Sequence, residues 1–182
     1  PAVGGIILQF PLPPGFDSDA LIRAIPKEKD VDALGENPLV DPPAVGVVEE
    51  LFDRHGISLA GARAVIVGKG RLVGAPVAAW FRPRVAHLAV LDSKSFDPDD
   101  LRAADIVVSG IGKPEYLKGE WVKEGAALID FGYSLREGKL LGYFERKSCE
   151  SKASLFTPTP GGTGPILVAE LMKNFYELSA RH

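Results

Sequence analysis

The residues best placed to do chemistry form a glycine-rich run, Gly68-Lys69-Gly70-Arg71-Leu72-Val73-Gly74, with Gly-x-Gly-x-x-x-Gly spacing. It follows an apolar β-branched segment and opens a helical one. Glycines there let the backbone turn sharply and approach a pyrophosphate, and free N–H groups at the helix start supply donors. The spacing is one residue longer than the usual dinucleotide fingerprint, and a plain strand-to-helix turn is the alternative. Asp92 follows Gly74 by 18 residues, near the acid that accepts a ribose 2′-hydroxyl in NAD sites. Ser93 and Lys94, with Lys69 and Arg71, are instead donors suited to a 2′-phosphate. The residues alone leave NAD and NADP both open, and Lys94 and Arg71 also read as solvated charges.

Three further segments suit a ligand-facing edge. The loops Ser109-Gly110-Ile111-Gly112-Lys113-Pro114 and Asp130-Phe131-Gly132-Tyr133-Ser134 follow strand-like runs, where an open α/β sheet binds ligand, although ordinary turns also explain them. The segment Thr157-Pro158-Thr159-Pro160-Gly161-Gly162-Thr163-Gly164-Pro165 combines a fixed extended path with a tight bend before a helix. A rigid connector is its bland reading. Gln9 interrupts an apolar run and Asp32 lies in an acidic turn; a buried amide or carboxylate would need partners, such as the paired N–H donors of an aminopyrimidinone edge. Surface exposure is the alternative for both, and from spacing alone the favoured one for Asp32.

These loops require a scaffold of alternating strands and helices. Gly5 to Phe10 reads as a strand stopped by Pro11 and Pro13, and Asp17 caps a helix ending at Pro26. Asp41 before Pro42 and Pro43 starts an amphipathic helix running to Gly56. Strands are expected over 62–67, 87–91, 105–109 and 126–131, with helices over 74–81 and 97–103. Runs such as Ala64-Val-Ile-Val67, apolar on both faces, suit parallel strands covered on both sides. The fold class is therefore α/β, a Rossmann-like doubly wound parallel sheet. A last helix carries Val168, Leu171, Met172, Phe175 and Leu178 as an apolar stripe.

Composition narrows the function. The chain has 182 residues, 46% apolar, with 21 Lys+Arg against 24 Asp+Glu. A net charge of −3 gives no general attraction to nucleic acid or an anionic membrane. The uncharged stretch Ala153 to Ala169 is broken by prolines and glycines, so no membrane span is expected. One cysteine, Cys149, and dispersed His55, His87 and His182 make neither an internal disulfide nor a zinc site, which points to a metal-free cytoplasmic protein. There is no Gly-x-Ser-x-Gly elbow, His-Glu-x-x-His or Walker lysine loop, so hydrolase and P-loop readings fall away. Glycine and proline number 20 and 15 and concentrate in the loops already named.

In order along the chain, these segments resemble the methylenetetrahydrofolate dehydrogenase/cyclohydrolase family. The likeness runs through residues 7–13 (Ile-Leu-Gln-Phe-Pro-Leu-Pro), 26–32, 67–76, 112–125, 129–132 and 157–165. The resemblance implies a two-lobed enzyme that oxidises methylenetetrahydrofolate with a nicotinamide dinucleotide, NADP ahead of NAD, and then hydrolyses the methenyl product. It assigns Gln9 and Asp32 a catalytic role. Leu8, Gln9, Phe10, Asp32, Pro160, Gly161, Gly162, Thr163 and Gly164 would contact the tetrahydrofolate derivative. Gly68, Lys69, Gly70, Arg71, Asp92, Ser93, Lys94, Gly112 and Tyr133 would hold the dinucleotide.

By the same resemblance, residues 1–56 belong to an incomplete folate lobe, 57–157 to the nucleotide domain, and 158–182 return to the folate lobe, with a homodimer formed through the nucleotide domain. The sequence departs from the family at Lys69-Gly70 in place of Arg-Ser, at Asp92 in place of His, and in a shortened link from Asp32 to Pro42. Family members also carry a Tyr-x-x-x-Lys helix before the Leu8-Gln9-Phe10 segment, and the residues ahead of Leu8 in this sequence do not hold it. The expectation is a fragment that binds nucleotide without cyclohydrolase activity, and without dehydrogenase activity on its own. A non-catalytic nucleotide- or folate-binding module and a dehydrogenase of another small substrate are the competing readings.

Overall fold

A computed structural model describes residues 3–181; Pro1, Ala2 and His182 lie outside the described residues. Helix α1 spans Ser18–Ala24, capped by the Asp17 carboxylate, which accepts from the amides of Asp19 and Ala20. A 3-10 turn over Lys27–Lys29 leads to α2, Pro43–His55, which has proline in its first turn and ends on Gly56 in the left-handed region. The helix starts where the sequence places it, just past Asp41, with Pro42 at the N-cap and no side-chain cap.

Beyond α2 the chain alternates: β1 (Arg63–Val67), α3 (Gly74–Phe81), β2 (His87–Leu91), α4 (Pro98–Arg102), β3 (Ile106–Ser109) and β4 (Ala127–Asp130). A small antiparallel hairpin, β5 (Ser134–Arg136) and β6 (Lys139–Leu141), follows, then α5 (Arg146–Cys149), β7 (Leu155–Phe156) and the long α6 (Thr163–Ser179). The main sheet is parallel with order β2-β1-β3-β4-β7. The chain leaves β1 to one side for β2 and to the other for β3, so the topological switch point lies at the carboxyl ends of β1 and β3.

Both sheet faces are buried, as the unbroken apolar runs require. Ala64, Ile66, Ile106 and Val108 pack with α2 and α3, whereas Val65, Val67, Val107 and Leu128 pack with Leu101, Leu117, Phe144 and Cys149. The doubly wound sheet expected from the sequence is present, and its closest helix pairing joins α2 to α6.

One expectation fails. The run Gly5 to Phe10 is not a strand: Ile6 makes only an isolated parallel bridge with Asp30, because no neighbouring strand lies beside it among the described residues. The apolar stripe on α6 is buried only in part, through Leu178 and the packed Leu171. Val168 and Met172 are 59% and 61% exposed, while the buried positions are Thr163, Asn174 and Leu178. The Asn174 amide is what fixes the helix, donating to the carbonyls of Val31 and Asp41, each at 2.9 Å.

Candidate functional site

The site is built at the switch point, where close approach of two loops dictates glycine. Gly68 has φ +118°, and a Cβ on it would lie 2.6 Å from the Gly110 carbonyl oxygen. A Cβ on Gly74 would come within 1.9 Å of the Gly68 carbonyl oxygen. The loop between them is therefore pulled onto its own helix start and onto the end of β3. Among the described residues, the backbone N–H groups of 69–72 have no acceptor, and they sit ahead of the N-terminus of α3. Such a cradle, closed to a Cβ at Gly68 and Gly74 and rich in free donors, fits a pyrophosphate.

Side chains of the loop are already engaged. Lys69 Nζ lies 2.8 Å from Asp92 Oδ2, and Arg71 pairs with Asp19 of α1. Asp92 Oδ1 also accepts from the Lys94 and Ser95 amides and the Ser95 hydroxyl, all at 3.0 Å. Lys69, and after it these amides and the hydroxyl, hold the Asp92 carboxyl well below the usual carboxylate range. Ser93 and Lys94 are exposed beside it.

Two cavities share the wall formed by Phe131 and Tyr133. One, of about 500 Å³, is lined by Phe10, Gly70, Arg71, Leu72, Gly110 and Tyr143 together with that wall. The other, of about 400 Å³, lies between Phe131–Tyr133 and the loop 158–165. Thus Phe10, Gly70, Arg71 and Tyr133 come together in the first cavity, and Tyr133 meets Pro160, Gly161, Gly162, Thr163 and Gly164 in the second. Gly112 is exposed and lines neither.

Gln9 and Asp32 exchange the environments the sequence suggests for them. Gln9 is exposed, its amide donating to the Phe10 carbonyl at 3.0 Å. Asp32 is half-buried, and burial, with the nearby Asp30 charge adding to it, pushes its carboxyl up to about 6 against a pull from the Leu8 amide. Asp30 itself is 2% exposed; one oxygen accepts from the Gly35 amide at 2.7 Å and the other has no partner.

Sequence reasoning passed over Asp130 as a site residue, although an acid ending an apolar strand ahead of Phe131-Gly132 is a visible signal. It is 1% exposed and accepts three backbone N–H groups, from Gly132 at 2.7 Å, Tyr143 at 2.8 Å and Phe144 at 3.1 Å. Among the described residues no cluster of His, Cys, Asp and Glu could hold a metal ion, and no helix is long and apolar enough to cross a membrane.

Residues 42–182 match the sequence model of the tetrahydrofolate dehydrogenase/cyclohydrolase NAD(P)-binding domain. The chain belongs to this family. Bifunctional protein FolD 2 of Geobacter sulfurreducens is 38% identical over 188 residues, covering 97% of this chain and 66% of that protein. Bifunctional protein FolD of Lactobacillus delbrueckii subsp. bulgaricus is 38% identical, covering all of this chain and 68% of its own. The chain thus spans about two thirds of the length of these FolD relatives.

Solved FolD structures agree. The Campylobacter jejuni enzyme superposes with a TM-score of 0.91 at 31% identity, over 98% of this chain and 68% of that one. The Trypanosoma brucei enzyme, complexed with NADP cofactor and inhibitor, superposes at 0.91 and 35% identity, over 98% and 67%. The Rossmann-like sheet therefore lies within the stretch that matches the NAD(P)-binding domain of the family.

Proposed function

We propose that the chain binds NADP across the carboxyl edge of β1, β2 and β3, as part of a protein that oxidises methylenetetrahydrofolate to the methenyl compound and hydrolyses that product. The observation that carries this reading is the Gly68–Gly74 cradle, closed to a Cβ at its first and last glycines and stocked with free N–H donors at a helix start. Bound there, NADP supplies the hydride acceptor. Gly68, Gly70 and the amides of 69–72 would hold the pyrophosphate, with Lys69, Arg71, Ser93 and Lys94 offering cationic and hydroxyl donors to a 2′-phosphate. Asp92 does not oppose that group as a free acid would, because Lys69 and three local donors already neutralise it.

Tyr133 and Gly112 complete the nucleotide side in this proposal, within residues 57–157. The folate side is drawn from residues 1–56 and 158–182. Asp32, whose raised carboxyl borders the Leu8 amide, would meet the paired N–H donors of a pterin, and Leu8, Gln9, Phe10 and Pro160 to Gly164 would flank it. The wall shared by the two cavities, Phe131 to Tyr133, then separates nucleotide from folate space. A homodimer and a cytoplasmic setting belong to the same reading, and light scattering in solution tests the former.

The experiment is NADPH formation from NADP and methylenetetrahydrofolate, followed by absorbance, in a protein carrying this chain at the length of its FolD relatives. Folate-dependent NADPH formation, reduced at least tenfold by Asp32→Asn, is expected on the scale of a lost charge-assisted contact. A protein that binds NADP but never reduces it with this folate would favour a dehydrogenase of another substrate.

A further inference from the structure

Asp130 sits behind the wall shared by the two cavities, and its contacts reach three of the segments that shape them, around Gly132, around Tyr143 and in the 157–163 loop. Its side chain gathers the amides of Gly132, Tyr143 and Phe144. Its backbone is held in turn by the 157–163 loop: Thr157 Oγ1 accepts from the Asp130 amide at 2.7 Å, and the Thr163 hydroxyl donates to the Asp130 carbonyl at 2.8 Å. The Thr159 hydroxyl closes the ring by donating to the Gly132 carbonyl at 3.0 Å.

Two glycines are required by this packing. A Cβ on Gly132 would stand 2.6 Å from Asp130 Oδ1, and one on Gly142 would stand 2.2 Å from Oδ2. The chain has given up side chains at both positions to bring backbone donors onto one acid.

Resting on the function proposed above, we infer that Asp130 is a positioning residue whose charged carboxylate holds Gly132–Tyr133 and Tyr143–Phe144 in the arrangement that receives the dinucleotide. Three N–H donors converge on two oxygens, so a proton placed there turns an acceptor into a donor and sets it against an N–H. Burial pushes this carboxyl up to about 6, with the three amides pulling it down, so the change falls in an accessible range. The charged groups around it come from α5 and the loop before β4: Arg146, Lys147, Glu150 and Glu115 line a cavity of about 310 Å³ with Asp130, and the Cys149 thiol, pushed up chiefly by burial and further by the Glu145 and Asp130 charges, stays neutral beside it. Arg146 pairs with Glu150 and, among the described residues, no cation pairs with Asp130, so its state is set by the backbone amides and burial. Tyr143 and Tyr133 are the titratable side chains on the segments it holds.

The test follows the backbone amide resonances of Gly132, Tyr143 and Phe144 by NMR from pH 7.5 to 5, and measures NADP affinity over the same range. The three amides should titrate together near pH 6, and affinity should fall about tenfold by pH 5, the loss expected when only the charged form is competent. A 2′-phosphate also titrates near pH 6, so the comparison is with Asp130→Asn and with NAD, which lacks that group. The variant should bind weakly at both ends of the range and lose this component of the pH profile, whereas wild type should retain it with NAD. Parallel profiles in wild type and variant, or amides without a common midpoint, would overturn the inference. Should wild type bind no dinucleotide at pH 7.5, the proposed function fails, and the amide titration in wild type alone then decides whether Asp130 controls the loop.

Discussion

Lys69 of the glycine loop and Asp92 at the end of β2 are joined by an ion pair with Nζ and Oδ2 2.8 Å apart. Both side chains are more than a third exposed, so the pair adds little to stability. Its consequence is positional: the acid at the end of β2 is neutralised by the first side chain of the glycine loop, and among the described residues Lys94, beside Ser93, has no ion-pair partner.

Cofactor choice follows from that arrangement. Lys94→Ala should weaken NADP by about 1 to 3 kcal/mol, the size of a charge-assisted contact, and leave NAD unchanged. Asp92→Asn should release Lys69 and shift preference further toward NADP. Calorimetric titration of both dinucleotides against each variant checks this, and equal losses for NAD and NADP would show that neither residue reads the 2′ position.

The two loop glycines predict opposite outcomes. Gly74→Ala drives a methyl into the Gly68 carbonyl, so urea denaturation should show a loss of about 1 to 3 kcal/mol and NADP binding should disappear. Gly70 has nothing within 4 Å of an added Cβ and no positive φ, so Gly70→Ala should leave stability within about 0.5 kcal/mol of wild type. Similar destabilisation by both would contradict the packing described.

Asp32 predicts a pH signature. Its carboxyl is raised from 3.8 to about 6 on folding, so the native state holds its proton more tightly than the unfolded chain. The stability it contributes is fully present below about 4 and is lost as pH rises to about 6. The stability of wild type relative to Asp32→Asn should therefore decline across that window and be flat above it. A difference that grows with pH would place Asp32 among the carboxylates held low by partners.

Asn174 predicts how α6 is anchored. Removing its amide leaves the carbonyls of Val31 and Asp41 without their donor, so Asn174→Ala should cost about 1 to 3 kcal/mol in denaturant unfolding, and Asn174→Asp should not restore it. Truncating the exposed Met172 to Ala should cost about 0.5 kcal/mol or less.

The contrast between Met172 and Asn174 also shows where sequence and structure part. Strands β1, β3 and β4 and helix α3 are legible because their apolar runs are covered on both faces, and the glycine loop because a close backbone approach leaves no alternative residue. The hairpin β5–β6 carries no such signal: Leu135 is exposed, and the turn rests on Glu137 and Gly138 at positive φ. Periodicity on α6 marks an apolar face without saying what lies against it. A single polar side chain reaching carbonyls 133 and 143 residues away fixes the helix instead. The place of Asp130 at a strand end is visible, but its role is hidden for a related reason. Its partners are backbone amides, which every residue possesses, so only the fold shows that three of them meet at one acid. Gln9 and Asp32 trade environments because the first lies on a segment without a neighbouring strand, and the second follows the buried Asp30 at the bridge to Ile6.

The most direct test of the nucleotide site is calorimetric titration of NADP into the chain at pH 7.5, with wild type, Gly70→Ala and Gly74→Ala side by side. Binding of one NADP per chain by wild type and Gly70→Ala, and none by a folded Gly74→Ala, is the predicted result. Absence of binding by wild type, or undiminished binding by a folded Gly74→Ala, would contradict the placement of the dinucleotide on the Gly68–Gly74 cradle.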